Sequence, residues 1–573
     1  MEDTAIARPF LKSTAERLSR ERGHTVSDPG GRLRVCLVYP NTYSVGMSNL
    51  GFQSLYGLLN AGKDRLAERV FLPDKADMAE LRAKAKYIES FETSTPLKDF
   101  DVIAFSVSFE DDYINIPRIL SLASIPVFSK DREGRGPLIM AGGCAVTLNP
   151  EPIADFMDFF FIGEAEGVMD SLVGKLSEVI YGGATKKDAL KALSKTEGIY
   201  VPSLYNVTYD GVRVKSIEPA DGAPLPVRRV RASGDSLDIV PSTIVFTPDT
   251  EFSDTALIEV ERGCQRGCRF CAAGFVYLPP RERSLEAVIK AIDEASKTTT
   301  KIGLVGAAVS EYTGIKEVLR HGASKGLTMT LSSLRADMLD DEFLELLGKS
   351  GYRTLTIAPE AASDRLRRVI NKCITDKQLL TAASMAASRG FSKLKLYFMV
   401  GLPTETDEDV SSIVGVTQNL AAAFKGSIAL SVGAFVPKPF TPFQWHRFES
   451  EDVIERRYKI IEDGLAHLRG RVEVKTHPVR AAFTQAYLAM ADRRASKAVL
   501  EASRSGWKPA FSRAMPKVEP SVWRERQKDE VFAFDIIDQG ISKEYLYNEY
   551  TRSIDEKTTE PCEVGSCSRC GVC

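Results

Sequence analysis

Histidine is scarce in this chain of 573 residues. There are five, and none lies between His24 and His321, so no imidazole is at hand as a metal ligand over that long stretch. Long apolar runs are missing too: nothing approaches the roughly 20 residues of a membrane helix. The first residues, Met1-Glu-Asp-Thr-Ala, carry neither a basic n-region nor an apolar h-region. Internal repeats and low-complexity tracts are absent. The expectation is a cytoplasmic protein with no membrane partner, in a compartment where cysteines bind metals more often than they pair. Net charge is also nearly absent, at −2, but that balance hides an asymmetry. Residues 468–518 hold eleven Lys/Arg against three Asp/Glu, a local +8.

What is present is ordinary globular composition, 44% hydrophobic and 27% charged, over a length that exceeds one core of roughly 250–300 residues. Ten cysteines stand out. Three lie in Glu261-Arg-Gly-Cys264-Gln-Arg-Gly-Cys268-Arg-Phe-Cys271, just after the apolar stretch Ala256–Val260, which reads as a strand. Three thiolates this close can wrap one metal cluster and leave a coordination site open. Gly263 and Gly267 let the loop turn tightly and aim backbone N–H groups at the sulfurs. A zinc site would need a fourth ligand, yet no His or Cys lies between Cys271 and His321, so the usual paired spacing is missing. Four more cysteines, Cys562, Cys567, Cys570 and Cys573, crowd the last twelve residues as C-x4-C-x2-C-x2-C. They form a complete ligand set for either a second iron–sulfur cluster or zinc, and they suggest a tail that docks back onto the protein. Cys36, Cys144 and Cys373 are scattered and read as buried small apolar residues.

The pattern along the chain is α/β. Residues 1–30 read as a short helix and linker. Strand-like runs follow at 34–39, 70–72, 101–107, 138–141 and 159–162, with helices at 50–59 and 164–179. This alternation implies a doubly wound, Rossmann-like parallel sheet over 31–195, whose ligands bind beyond the carboxyl ends of the strands. Those ends carry Tyr43, Ser106, Gly142, Gly143, Gly163 and Glu164. A small β connector spans 196–250. The α/β alternation resumes over 251–447, with strands at 256–260, 301–305, 328–332, 354–358, 394–400 and 430–436. Ser284 is the expected cap of a helix at 284–297. Residues 448–548 read as mostly helical, and 549–573 as a Cys-rich metal-binding tail.

The spacing C-x3-C-x-aromatic-C, with Phe270 as the aromatic, resembles the signature of the radical S-adenosylmethionine (SAM) superfamily. Six β/α units match that family's partial (β/α)6 barrel. The resemblance implies that Cys264, Cys268 and Cys271 hold a [4Fe–4S] cluster that reductively cleaves SAM to a 5′-deoxyadenosyl radical. The electron would come from an external donor of the flavodoxin or ferredoxin type. It also implies SAM contacts at strand ends. Gly306, in Val305-Gly-Ala-Ala308, stands where relatives often show Gly-Gly-Glu; the acid is missing, so contact with the SAM amine would be through backbone. Glu360 matches the residue that meets the ribose hydroxyls. Gly401, in Val400-Gly-Leu-Pro-Thr-Glu, matches the fifth-strand motif whose glycine lets backbone approach adenine. Phe270 would cover the cluster or pack on adenine. Ser333 and Arg335 project from another strand end, Arg335 toward either the SAM carboxylate or a structural partner, Asp337 or Glu360.

The first α/β region resembles the cobalamin-binding-type domain of many radical SAM proteins, through Gly142-Gly143 and Gly163-Glu164-Ala-Glu166-Gly167. The D-x-H-x-x-G motif that ligates cobalt in one class is absent, so a bound cobalamin and a domain that has lost it both stay open. The resemblance covers about residues 31–573 and leaves three functions. One is cobalamin-assisted methyl transfer. A second is cobalamin-independent modification of RNA or protein. The third is a non-catalytic iron–sulfur protein. An RNA or protein substrate would be met by the basic 468–518 region, where Phe483, Tyr487, Trp507 and Phe511 are interspersed; the alternative there is a solvated helical face.

Overall fold

The computed structural model describes residues 11–84, 87–132, 134, 136–332 and 334–573, and for 514–520 the backbone alone. The chain divides into two compact units. One is built from residues 1–255, 491–518 and 531–539, the other from 256–490, 519–530 and 540–573. The stretch 448–548, expected as one helical region, is thus shared between them.

The first unit is a six-stranded sheet of β1 (Leu33–Tyr39), β2 (Arg65–Phe71), β3 (Val102–Ser106), β4 (Leu138–Gly142), β5 (Phe159–Phe161) and β6 (Ile199–Tyr200), in the order 2-1-3-4-5-6. The first five strands are parallel, while β6 pairs antiparallel with β5 at the edge. Parallel strands covered on both faces read as continuous apolar runs, and Cys36, Leu37 and Val38 of β1 are fully buried. β2 breaks that rule and begins five residues before the expected start. Its Arg69 is completely buried, held by Glu21 (2.6 Å) and Glu92 (2.6 Å). Charges that would mark a surface segment are here internal and paired, so the apolar pattern marked only the end of the strand. The expected helix at 164–179 starts only at Met169. Gly163 instead forms a parallel bridge with Val230 at φ +127°.

The connector holds the hairpin β7 (Tyr205–Asp210) and β8 (Arg213–Pro219), then β9 (Val227–Arg228), which pairs with Ile537–Asp538. The helix Ala495–Ser505 packs on the turn Glu151–Phe156. Just before it, Arg493 grips buried Glu151 through two nitrogens, at 2.9 and 3.1 Å.

The second unit carries β10 (Ala256–Glu259), β11 (Glu261–Arg262), β12 (Arg281–Glu282), β13 (Lys301–Val305), β14 (Thr328–Leu331), β15 (Thr354–Glu360), β16 (Lys393–Val400), β17 (Ser427–Ala434) and β18 (Val472–Thr476). Two parallel sheets, β10-β13-β14 and β15-β16-β17-β18, are bridged where Leu334 pairs with Ile357. Among the described residues the six expected strands are all present, and a seventh parallel strand extends the second sheet. The seventh, β18, lies in the region expected to be helical. Its alternation of Val and charged residues suits an edge strand with one face in water.

Helices follow the strands, and their starts are written in the sequence. Ser284 accepts from the Ala287 amide (3.3 Å) and Asp340 from Phe343 (2.9 Å). Thr375 with Gln378 and Thr406 with Asp409 form reciprocal capping boxes. Each cap contributes about 1 kcal/mol. On β15 and β16 fully buried residues alternate with half-exposed ones. One face is sealed by helices, and the other presents Thr356, Glu360, Lys395 and Tyr397. Among the described residues no helix is long and apolar enough to cross a membrane.

Candidate active site

The three-cysteine loop is an excursion from the end of β10. Its base is pinned because β11 and β12, on either side of it, pair antiparallel. Gly263 has φ +89°, and a Cβ there would stand 2.6 Å from the Tyr277 carbonyl oxygen; only glycine fits a turn this tight. Cys268 is buried, and Cys264 and Cys271 are half-buried. Burial, then the charge of Cys268, pushes the Cys264 thiol up to about 12. The same two causes push Cys271 up to about 11. Opposing this, the amides of Arg266 and Gly274 hydrogen-bond the sulfurs of Cys264 and Cys271. Crowded thiols supplied with backbone N–H donors, with Lys372 near Cys271 and Arg335 near Cys268, suit the anionic sulfurs of an iron–sulfur cluster. Among the described residues no three His, Cys, Asp or Glu side chains are already gathered into a set for a single metal ion.

The other expected residues lie in the same unit. Phe270 packs, half-buried, on the apolar cluster that includes Ala361, Leu366 and Phe435. Glu360 ends β15 beyond a register shift at Ile357 and has φ +67°. A non-glycine residue in that conformation is strained by about 1–3 kcal/mol, and bulges of this kind re-aim a side chain. Its carboxylate lies 3.9 Å from the Lys372 ammonium. Burial nevertheless raises its pKa above the usual carboxylate range. Gly401 has φ +85°, and its amide donates to Glu405 at 2.5 Å. Arg335 is bound by Asp337, at 3.0 and 2.9 Å, and lies 3.2 Å from Glu311. Ser333 lies outside the described residues.

Several neighbours carried no sequence signal. Glu261 is buried, and its carboxylate accepts from the Ala308 amide. A Cβ on Gly306 would stand 2.7 Å from the Glu261 Cγ. A carboxylate thus stands beside Gly306, contributed by β11. Cys373 is exposed, not buried, and lies close enough to Cys268 to sense its charge. It stands beside Lys372 and Asn371, and the Asn371 amide reaches the carbonyls of Arg266 and Gly267, each at 3.2 Å. Cys144 is half-buried, and of the scattered three only Cys36 is in the core.

In the first unit four of the six expected loop residues, Tyr43, Gly143, Gly163 and Glu164, make close contacts within the fold. Tyr43 is buried, with its hydroxyl on Glu21 (2.5 Å). Glu164 accepts from the Ala232 amide (2.9 Å). A Cβ on Gly143 would meet the Val107 carbonyl at 2.5 Å, and one on Gly163 the Val230 carbonyl at 2.2 Å. Gly142 and Ser106 end β4 and β3 side by side. Between β1 and β3, where the strand order reverses, lies Asp112. Its Oδ1 accepts from Asn41 (2.7 Å), while its buried Oδ2 has no hydrogen-bond partner among the described residues. Burial pushes its pKa up to about 7. The basic window is likewise partly spent. Arg493 and Arg471 bind internal acceptors, and Phe483 and Tyr487 are buried. Arg469, Lys475, Arg480, Lys497, Arg504 and Lys508 face solvent.

Comparison with known proteins agrees with this geometry. The family described as the radical SAM superfamily matches residues 258–415, and that of radical SAM proteins, N-terminal, matches 51–202. An uncharacterized protein of Methanocaldococcus jannaschii is 30% identical over 470 residues, covering 81% of this chain and 90% of its own. A tRNA-2-methylthio-N(6)-dimethylallyladenosine synthase of Acidithiobacillus ferrooxidans is 25% identical over 233 residues. That match covers 38% of this chain and about half (49%) of the synthase. Among solved structures, the radical S-adenosylmethionine methyltransferase TsrM from Kitasatospora setae, with cobalamin and a [4Fe–4S] cluster bound, superposes with a TM-score of 0.52 at 14% identity. It covers 84% of this chain and all of its own. The fold is that of a radical SAM protein with an N-terminal α/β unit. The chain belongs to the radical SAM superfamily and is an enzyme of that class, with SAM and a [4Fe–4S] cluster as its cofactors.

Proposed function

We propose that Cys264, Cys268 and Cys271 hold the [4Fe–4S] cluster, and that the enzyme uses SAM for cobalamin-assisted methyl transfer to an unactivated carbon. The observation that carries the first part is the pinned three-cysteine loop at the end of the first parallel strand, with backbone amides on two of its sulfurs. A bound cluster, reduced by an external flavodoxin- or ferredoxin-type donor, would supply the electron for reductive cleavage of SAM to methionine and a 5′-deoxyadenosyl radical. The chain's own residues do the rest: they bind, orient and exclude water. Glu360 accepts from the ribose hydroxyls, a task suited to a carboxylate with several lone pairs. Glu261, already held by the Ala308 amide, faces the SAM amine. Gly401 lets backbone approach adenine. Phe270 shields the cluster from water. Arg335, with two acidic partners of its own, orients the loop rather than the SAM carboxylate.

The cobalamin part is supported by the fold shared with TsrM and by the crevice where the strand order reverses. In doubly wound sheets ligands lie there, beyond the strand ends. An orphaned, buried Asp112 oxygen fits an amide donor from a ligand, since such a group costs about 1–3 kcal/mol unsatisfied. Asn41, Ser106 and Asp112 would hold the group, with the backbone of Gly142 alongside. Bound cobalamin would serve as methyl carrier. A second reading, RNA modification without cobalamin, is favoured by the partial match to the tRNA-modifying synthase.

Anaerobic incubation with SAM and dithionite, followed for 5′-deoxyadenosine, tests the first part. Wild type should form it and Cys268→Ala should not; no product from a fully reconstituted wild type would refute the assignment. Cobalt quantification after reconstitution tests the second, and a protein that never takes up cobalamin leaves the modification reading in place. That reading then requires RNA affinity that weakens with salt.

A further inference from the structure

The C-terminal tail is strapped onto the very loop that carries Cys264, Cys268 and Cys271. The Cys562 amide donates to the Gln265 carbonyl at 2.7 Å, one residue from Cys264. The Thr559 amide donates to Asn371 Oδ1 at 2.9 Å, and Asn371 Nδ2 returns bonds to the carbonyls of Thr559, Arg266 and Gly267. Between Cys268 and Phe270, the buried Arg269 guanidinium binds Glu549 at 3.0 Å and the Lys557 carbonyl at 2.7 Å. The tail folds on itself as well. Arg569 reaches the carbonyls of Glu560 and Pro561, at 2.8 and 2.9 Å, and the Cys567 sulfur at 3.2 Å. Cys562 and Cys567 share a hydrogen bond, and the Cys570 carbonyl accepts from the Ser542 amide at 2.9 Å. A small cavity is lined jointly by Cys264, Gln265, Cys562, Cys567, Arg569 and Cys570.

We propose that Cys562, Cys567, Cys570 and Cys573 form a second metal centre, and that metal binding there clamps the loop of the SAM cluster. The coupling rests on the assignment of Cys264, Cys268 and Cys271 as cluster ligands. The donor chemistry is thiolate only, which selects an iron–sulfur cluster or zinc. Gly565 and Gly571, at φ +89° and +83°, allow the chain to wind around one centre. Four thiolates on a twelve-residue segment that bind one metal remove most of that segment's freedom, since metal binding free energy is folding free energy for its ligands. The backbone bond from Cys562 to Gln265 brings the two chain segments to roughly one strand spacing, about 5 Å, at that point. Ordering of the tail is therefore passed directly to the loop.

The test uses the full chain, reconstituted anaerobically in two arms, one with iron and sulfide and one with zinc added after the iron. Wild type should hold metal in excess of one [4Fe–4S] cluster per chain. Cys562→Ser with Cys567→Ser should lose that excess, while Cys264→Ser with Cys268→Ser should keep it. In the tail variant the remaining cluster should bleach about ten-fold faster under chelator, the scale of one net hydrogen bond lost to a local opening. Excess iron or excess zinc alike supports the site and tells which metal it takes. No excess metal in either arm overturns the site. Excess lost without faster bleaching overturns the clamp. Should the tail variant fail to fold, Asn371→Gly, which keeps all ten cysteines and removes the side-chain bonds joining Thr559 to Arg266 and Gly267, carries the test of the clamp: faster bleaching supports it and an unchanged rate overturns it. Absence of 5′-deoxyadenosine from wild type with the excess metal present would sink the radical assignment and leave the tail centre standing.

Discussion

Arg269 is the perturbation with the sharpest expected cost. Its guanidinium is fully buried and binds Glu549 through Nε (3.1 Å) and a terminal nitrogen (3.0 Å), along with the carbonyls of Arg368, Val369 and Lys557. Glu549 is itself 4% exposed, and its remaining partners include the Thr559 hydroxyl at 2.7 Å. Arg269→Met removes the charge and leaves a buried carboxylate whose nearest remaining cation is Arg552, at 3.4 Å. Breaking a buried pair from one side costs about 3–5 kcal/mol, whereas replacing both partners by apolar groups is often nearly neutral. Arg269→Met should therefore lose about 3–5 kcal/mol, and Arg269→Met with Glu549→Met should recover the share due to the unpaired carboxylate, while the carbonyls of Arg368, Val369 and Lys557 stay without their donor. Urea unfolding of the reconstituted protein, followed by far-UV circular dichroism and by the visible absorbance of the cluster, gives both numbers. A single variant within about 1 kcal/mol of wild type, or a double variant no better than the single, would refute the view of this pair as the brace of the cluster loop.

Three further outcomes follow from the geometry. Glu360→Gln should weaken SAM binding about ten- to a hundred-fold, from the loss of charged hydrogen bonds worth about 1.5–3 kcal/mol; Glu360→Gly should weaken it too, yet gain thermal stability by releasing the φ +67° strain. Asp112 carries a pKa of about 7 when folded and about 3.9 when unfolded. Between those values the folded state keeps a proton that the unfolded state has lost, so stability falls as pH rises from about 4 to 7, by up to about 4 kcal/mol. Asp112→Asn should flatten that slope in equilibrium unfolding across the same range, and an unchanged slope would count against the assignment. Gly163→Ala, with its Cβ driven to 2.2 Å from the Val230 carbonyl, should destabilise by more than about 1–3 kcal/mol whether or not cobalamin is supplied; a loss confined to cobalamin-loaded protein would instead make this glycine a ligand contact.

Chemistry carried by short spans was legible in the sequence. The loop from Cys264 to Cys271, its glycine turn at Gly263, the cap at Ser284 and the alternation of strands and helices are local patterns, and each depends on residues within a few positions of one another. Strands covered on both faces, such as β1, announce themselves as apolar runs because both of their faces are sealed from water. β2 did so only at its end, because the charge of Arg69 is neutralised by Glu21 and Glu92, 48 residues before and 23 after it. Likewise nothing near Gly306 hints that Glu261 fills the space above it, and nothing near Asp112 hints at a carboxylate left unpaired between β1 and β3. The basic run 468–518 looked like one surface, yet Arg493 and Arg471 serve internal acceptors. Folding alone brings the tail from Thr559 onward against Gln265 and Asn371, because hydrogen bonds between residues some 190 to 300 positions apart have no local signature. The three cysteines proposed as cluster ligands are thus a pattern of adjacency along the chain. What braces them, and what stands beside them, was decided by contacts that only the tertiary structure creates.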